Sequence, residues 1–166
     1  VMMSASSWIA LRTVNHLRIK LFWHVLVSSF IGGGSVLLLT VWLVLELEPI
    51  YKPQYTIPLA GMVFANSMNT ISLALERLGS ELNNQIDYIH ARNTAFHASL
   101  IPIINTMFAV GIVSLPGMMT GQVLSGISPL IAVRYQILVM CMIFASCALS
   151  TALLLIITRK QFERVY

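Results

Sequence analysis

Four long stretches of the chain carry no Asp, Glu, Lys or Arg: Leu21 to Leu45, Pro53 to Leu75, Asn93 to Val133 and Tyr135 to Thr158. A helix that crosses a bilayer needs about 20 predominantly apolar residues, and every one of these runs is at least that long. Polar residues gather between them, in "RTVNHLRIK" at 12–20, "ELEPIYKPQY" at 46–55, "ERLGSELNNQIDYIHARNTAFH" at 76–97 and "RKQFERVY" at 159–166. The pattern predicts an all-α, polytopic helical membrane protein. About four complete transmembrane helices are expected, over 21–45, 57–77, 98–125 and 133–158. The opening "VMMSASSWIALR" reads as a helix stub over 1–11, the last turns of a helix begun upstream, so the chain reads as a fragment. Residues 1–166 are taken as one transmembrane domain.

The third run needs an interpretation, because its 41 residues are too many for one simple helix and barely enough for two. Charge decides. Cytoplasmic flanks of membrane helices are enriched in Lys and Arg. If residues 98–125 cross once, then Arg12, Arg18, Lys20, Arg77, Arg92, Arg159, Lys160 and Arg164 share one side, against Lys52 and Arg134 on the other. Two crossings would move the tail's three basic residues across and weaken the bias. One crossing is therefore predicted, with 76–97 as a cytoplasmic loop or flanking helix and the C-terminus in the cytoplasm.

That crossing is interrupted. "IVSLPGMMTGQVL" at 112–124 places Pro116 among Gly111, Gly117 and Gly121. Proline removes a helix hydrogen bond, and glycine permits close approach or unusual backbone angles. Irregular backbone at membrane depth persists only where protein or a water-filled cavity covers it. Broken helices of this kind frame transporter sites; a kink made for packing alone is the competing reading. "GGGS" at 32–35 carries the same pair of readings, helix packing or a hinge. Pro58 is expected in the first turn of its span, where a missing N–H costs little.

Composition narrows the function. Residues are 57% hydrophobic and 10% charged, far from the roughly 25% charged of soluble domains. The net charge of +4 is spread over connectors rather than gathered in a patch, so nucleic acid is not an expected partner. Cys141 and Cys147 lie in the last span and are expected to be reduced packing residues. No H-E-x-x-H, G-x-S-x-G or G-x-G-D pattern occurs, and no catalytic residue is assigned.

Polar side chains inside spans are the candidate pathway, because such groups seek partners in the bundle. Asn66 and Asn69 share a helix face by their spacing of three. With Asn105, Ser114, Pro116, Gly117, Met118 and Met119 they form the candidate pathway or gate; interhelical hydrogen bonding is the alternative. Thioethers suit soft ions, yet adjacent Met118 and Met119 point about 100° apart in a regular helix. His16, His24, His90 and His97 have no metal-ligand spacing, and no metal site is assigned. Glu46, Glu48 and Arg134 are candidates for an ion pair at the far mouth.

"GMVFANSMNTISLALERLGSEL", "ASLIPIINTMFAVGIVSLPGMMTGQVLSGISPLIAVRYQILVM" and the terminal helix together carry a resemblance that covers nearly the whole chain. It is densest at Leu100 to Met140, in "VSLPGMMTG" and P-L-x-A-V-R-Y-Q. The chain resembles the FetB-like permease family (the UPF0014 type), membrane subunits of ABC transporters implicated in iron export, with plant relatives implicated in aluminium tolerance. The resemblance implies a protein of about seven spans in the inner (plasma) membrane, paired as a homodimer and driven by a separate cytoplasmic ATPase subunit that binds ATP and Mg. The absence of a G-x-x-x-x-G-K-[ST] phosphate loop here fits that division of labour; the chain itself is expected to bind no cofactor and to be no enzyme. The implied function is export of iron, another metal ion or a small solute. Where the family carries a longer segment that resembles an ATPase-coupling element, this chain has the shorter "NNQIDYIHARNTAFH". Ile86, Asp87, Tyr88, His90 and Arg92 are the implied coupling residues. A membrane scaffold without transport, or an ATPase-independent secondary carrier, are the alternatives.

Overall fold

Apolar runs without charge have no way to satisfy their backbone in lipid except as helix, and helix is what they form. The computed structural model describes residues 2–11, 18–44, 53–110, 112 and 115–162. The helices are α1 (Met2–Ala10), α2 (Arg18–Leu39, running into a π-helical turn at Thr40–Val44), α3 (Pro53–Asn83), α4 (Tyr88–Ala109), α5 (Gly117–Leu124), α6 (Pro129–Ile157) and α7 (Arg159–Phe162). The connectors at 12–17 and 45–52 and the end of the chain after 162 lie outside the described residues, and with them the Glu46, Glu48 and Arg134 pairing.

α2, α3 and α6 overlap the runs expected at 21–45, 57–77 and 133–158, whereas α4 begins at Tyr88, ahead of the run expected at 98–125, and stops at Ala109 within it. Two segments, Leu21–Trp42 and Pro129–Ile157, are long and apolar enough by themselves to cross a membrane. On α2, Trp23 and Trp42 are 68% and 57% exposed. They are 19 residues apart, about 28 Å of helix, close to the roughly 30 Å hydrocarbon thickness. Indole rings favour the two membrane interfaces, and the spacing of this pair suits one ring at each. α3 is more polar at its centre, where Asn66, Ser67, Asn69 and Thr70 stand. Its inner face is nonetheless buried against α4 and α6.

One expected position is corrected. α3 begins at Pro53, so Pro58 sits inside the helix, not in its first turn; Pro53 takes the tolerated first position. Of the two readings of 76–97, loop or flanking helix, the structure has mostly helix: α3 continues to Asn83 and α4 begins at Tyr88, with a short turn over 84–87. The 31 residues of α3 extend about 46 Å, longer than the bilayer core is thick, so its charged end projects as one arm of a helical hairpin. Arg77 and Glu81 pair across one turn at 2.6 Å.

The core has two apolar clusters. One, toward the hairpin end, joins Leu11, Leu21, Val25, Ile71, Leu75, Leu78, Leu154, Leu155 and Phe162. The other joins Val36, Val41, Leu59, Val63, Phe64, Val139 and Met142. Between them runs a buried band of small and hydroxyl side chains: Ser28, Ser29 and Gly32 on α2, Ser67 and Thr70 on α3, Ser146, Cys147, Ser150 and Thr151 on α6. The GGGS motif belongs to this band. A Cβ on Gly32 would lie 2.5 Å from the Ser150 nitrogen, and one on Gly33 3.1 Å from Val63. Both glycines are therefore contacts between helices, the packing alternative, because only without a Cβ can α2 and α6 backbones touch. Both cysteines are free thiols, Cys147 buried and Cys141 exposed.

Candidate transport and coupling site

The hairpin turn is built from local rules. Gln85 takes φ of 60°, a left-handed conformation that lets the chain leave α3. The amide of Ile86 then donates to the Glu81 carbonyl at 3.3 Å. Asp87 caps α4, its carboxylate accepting from the Ile89 amide at 3.1 Å. Of the implied coupling residues, Ile86, Asp87 and His90 stand exposed at or beside the tip. Arg92 sits one turn on, its guanidinium donating to the Asn93 side chain.

Tyr88 departs from the group. Its ring is buried, its hydroxyl donates to the Leu155 carbonyl on α6, and Arg159 lies over the ring at 6.0 Å. It faces the core as a tie between the hairpin and α6, not outward as a docking residue. Sequence reasoning also missed Ile89, which is 48% exposed beside Ile86 at 38%. Two isoleucines at a polar tip were the available signal.

Higher up the hairpin, Asn66 precedes Asn84 by 18 residues and Asn105 follows Asp87 by 18. The two asparagines therefore share one level, about 27 Å from the turn. Asn66 is half-buried and its amide nitrogen donates to the Met62 carbonyl at 2.8 Å. Asn69 and Asn105 are exposed. Carboxamides are costly against lipid, so each of these positions calls for water or another protein surface.

The break in the predicted crossing is real, but its form differs from a kink at Pro116. α4 stops at Ala109, and Pro116 is the N-cap of α5, with extended backbone. Gly117 and Gly121 have nothing within 4 Å of an added Cβ. They make no close contact in this chain. α5 is a regular helix, so Met118 and Met119 diverge as expected. Met118 packs on the Val63 and Met142 cluster; Met119 is half-buried. Gly111 and Ser114 lie outside the described residues. The structure thus places Met118 against the Val63 and Met142 cluster, Ile86, Asp87 and His90 at the hairpin tip, and Asn66, Asn69 and Asn105 on the hairpin helices. Among the described residues, no three His, Cys, Asp or Glu side chains come together as a metal site.

An antiparallel set of long helices, a hydroxyl-lined seam, a membrane-length Trp spacing and a hairpin projecting past the apolar zone define a helical membrane protein. Residues 1–162 match the model of the uncharacterised protein family UPF0014, and the chain belongs to that family. It is 37% identical to the UPF0014 membrane protein slr1647 of Synechocystis, over 98% of this chain and 68% of that protein. It is 31% identical to the "Probable iron export permease protein FetB" of Escherichia coli, over 82% of this chain and 59% of that one. With ALUMINUM SENSITIVE 3 of Arabidopsis thaliana the identity is 29%, over 77% and 54%. The chain thus spans between half and about two thirds of the lengths of these relatives. No solved structure matches.

Proposed function

We propose that this chain is the greater part of a permease subunit of an ABC transporter, which exports iron or another metal ion or small solute. A separate ATPase subunit drives it, docked at the tip of the α3–α4 hairpin. The observation that carries this reading is the hairpin itself. It is helical in both arms, capped at its turn, has one arm longer than the bilayer core is thick, and carries exposed Ile86 and Ile89 amid polar neighbours. Such a tip suits a protein partner, for apolar anchors inside a polar rim carry most of the energy of an interface. The relative named as an iron export permease supports the same reading.

In this proposal the ATPase pushes the tip. Tyr88 transmits the movement to α6 through its bond to Leu155, and α3 carries it along to Asn66 and Asn69. The open face at Asn69 and Asn105 lines the pathway once a second permease copy closes it. The tip and the C-terminal end then lie in the cytoplasm and the subunit in the inner membrane. The pathway residues need not hold the substrate tightly; a transported ion must leave as readily as it enters.

The test is ATP hydrolysis by the reconstituted full-length permease with its cognate ATPase, with Fe(II) and other metals added in turn. Metal-stimulated hydrolysis that is lost in Ile86→Asp and Ile89→Asp, while the subunit stays folded, supports the proposal. Hydrolysis indifferent to the permease, to metals and to both substitutions overturns it and leaves a scaffold. Transport that persists without any ATPase and collapses with an uncoupler would instead make this a secondary carrier.

A further inference from the structure

At the charged end of the bundle, α4 and α6 leave a groove of about 220 Å³ lined by Arg92, Asn93, Phe96, Ala152, Leu155 and Ile156. Its two ends differ in chemistry. α4 and α6 run antiparallel, so Arg92 and Asn93 lie level with Leu155 and Ile156, near the end of α6's apolar run. Phe96 and Ala152 lie one turn deeper, into the apolar zone. The mouth is thus basic and polar, and everything beneath it is apolar.

The mouth is also electrostatically open. The Arg92 guanidinium meets only a neutral acceptor, the Asn93 carboxamide oxygen, at 3.3 to 3.4 Å. Among the described residues no carboxylate lines the groove and Arg92 has no ion-pair partner. One turn earlier on the same face of α4, the Tyr88 ring carries the Arg159 guanidinium at 6.0 Å.

The geometry points to a binding site for an anionic phospholipid: its phosphate on Arg92 at the mouth, and the start of an acyl chain laid along Phe96, Ala152, Leu155 and Ile156. Three arguments choose this occupant. A guanidinium pairs well with a phosphate, and more strongly where water is partly excluded. Basic pockets between helices at the membrane surface suit lipid headgroups. The apolar floor gives a free inorganic anion nothing, but it gives a chain continuous contact with the groove. Far more room is present than one water needs, whose share of liquid volume is about 30 Å³. The inference rests on membership of a membrane family and on this groove, and needs no transport.

The experiment is native mass spectrometry of the full-length protein released from vesicles of phosphatidylglycerol, of phosphatidylcholine, and of a mixture of the two. One phosphatidylglycerol retained per chain in preference to phosphatidylcholine is the expected result. Arg92→Gln should weaken that retention roughly fivefold, the effect of one cation near an anionic surface. Its melting temperature in lipid-free detergent should not change, because Arg92 makes no contact that the core needs. Ala152→Phe, which fills the floor, should reduce retention of the same lipid without altering the mouth. Equal retention of both lipids, or indifference to Arg92→Gln, overturns the proposal. So does displacement of the lipid by inorganic phosphate alone, which would make the mouth a simple anion site. No lipid retained at all would mean that the rest of the protein covers the groove, and overturns it too. The readout does not involve ATP hydrolysis, so its failure and that of the permease reading are separable.

Discussion

Gly32 and Gly117 are the same residue in two opposite situations. Gly32 lies in the band where α2 meets α6, and a Cβ there would press into the backbone of Ser150 at 2.5 Å. Gly117 opens α5, and a Cβ there would meet nothing within 4 Å. The first region is finished: its helices touch within this chain and its small residues are spent on that contact. The second is unfinished: α5 buries no residue fully, and Leu115, Leu124, Ile127 and Leu130 beside it are exposed. A glycine in an apolar helix therefore marks either a closed contact or a surface still waiting for one, and only the fold tells them apart.

The largest effect should come from breaking the closed region. Gly32→Ala forces backbone against backbone, which no rotamer change relieves. A loss of about 1–3 kcal/mol is expected, the usual cost of overpacking, seen as a lower melting temperature of the purified protein. Gly34→Ala, two residues on, meets nothing within 4 Å and should be neutral or stabilising by up to about 1 kcal/mol through helix propensity. Equal effects at the two positions would mean that α2 and α6 do not meet as described.

Next comes the tie between the hairpin and α6. Tyr88→Phe keeps the buried ring and removes the hydroxyl that donates to the Leu155 carbonyl. Stability should fall by about 1 kcal/mol, the net worth of one such hydrogen bond, measured by thermal unfolding. If the hairpin transmits movement to α6, ATPase stimulation should fall by more than this stability loss explains.

What the sequence disclosed follows from what each signal depends on. The charge-free runs locate α2 and α6 within a few residues, because exclusion of charge is a property of each helix by itself. The break before α5 was also legible, since Pro116 forbids a continuing helix on local grounds. Its form was not: whether proline kinks a helix or starts a new one depends on where α4 stops, and that depends on Ala109 and its neighbours. The 76–97 stretch left loop and flanking helix both open, because charge marks a solvated end of a span without saying whether its backbone is helical. Tyr88 was grouped with the tip by proximity in sequence, but the helical turn aims it at α6. At Gly32 the GGGS run signalled a close approach as one of two readings, but its partner Ser150 is far away in the chain and left no local trace.

A smaller effect is expected at Pro116. Its φ and ψ of −61° and 143° are open to most residues, and the bond it makes to α5, its carbonyl accepting from the Thr120 amide at 3.0 Å, is one that any residue can make. Pro116→Ala should cost only the stiffness of the ring in the unfolded chain, about 0.4–1 kcal/mol. A loss of several kcal/mol on thermal unfolding would show that the proline holds more than the start of one helix.

The smallest effect within one chain, and the sharpest test of the comparison, belongs to Gly117 and Gly121. Nothing in this chain opposes a methyl group at either position. Both sit on a helix of eight residues, too short to cross the membrane and spaced four apart, so they form one smooth patch. If lipid alone meets that patch, Gly117→Ala and Gly121→Ala should leave the melting temperature unchanged or slightly raised. If a second copy or the remainder of the protein seats there, the same methyls would hold the surfaces apart, as a Cβ at Gly32 does inside the chain. Comparing the pair of variants in full-length protein and in residues 1–166, by thermal unfolding and by mass in detergent, separates the two. Neutrality in both would make α5 a lipid-facing cap on the Val63 and Met142 cluster. Loss of stability or of oligomer only in the full-length protein would turn the open region into the counterpart of the closed one, completed by a surface this chain does not contain.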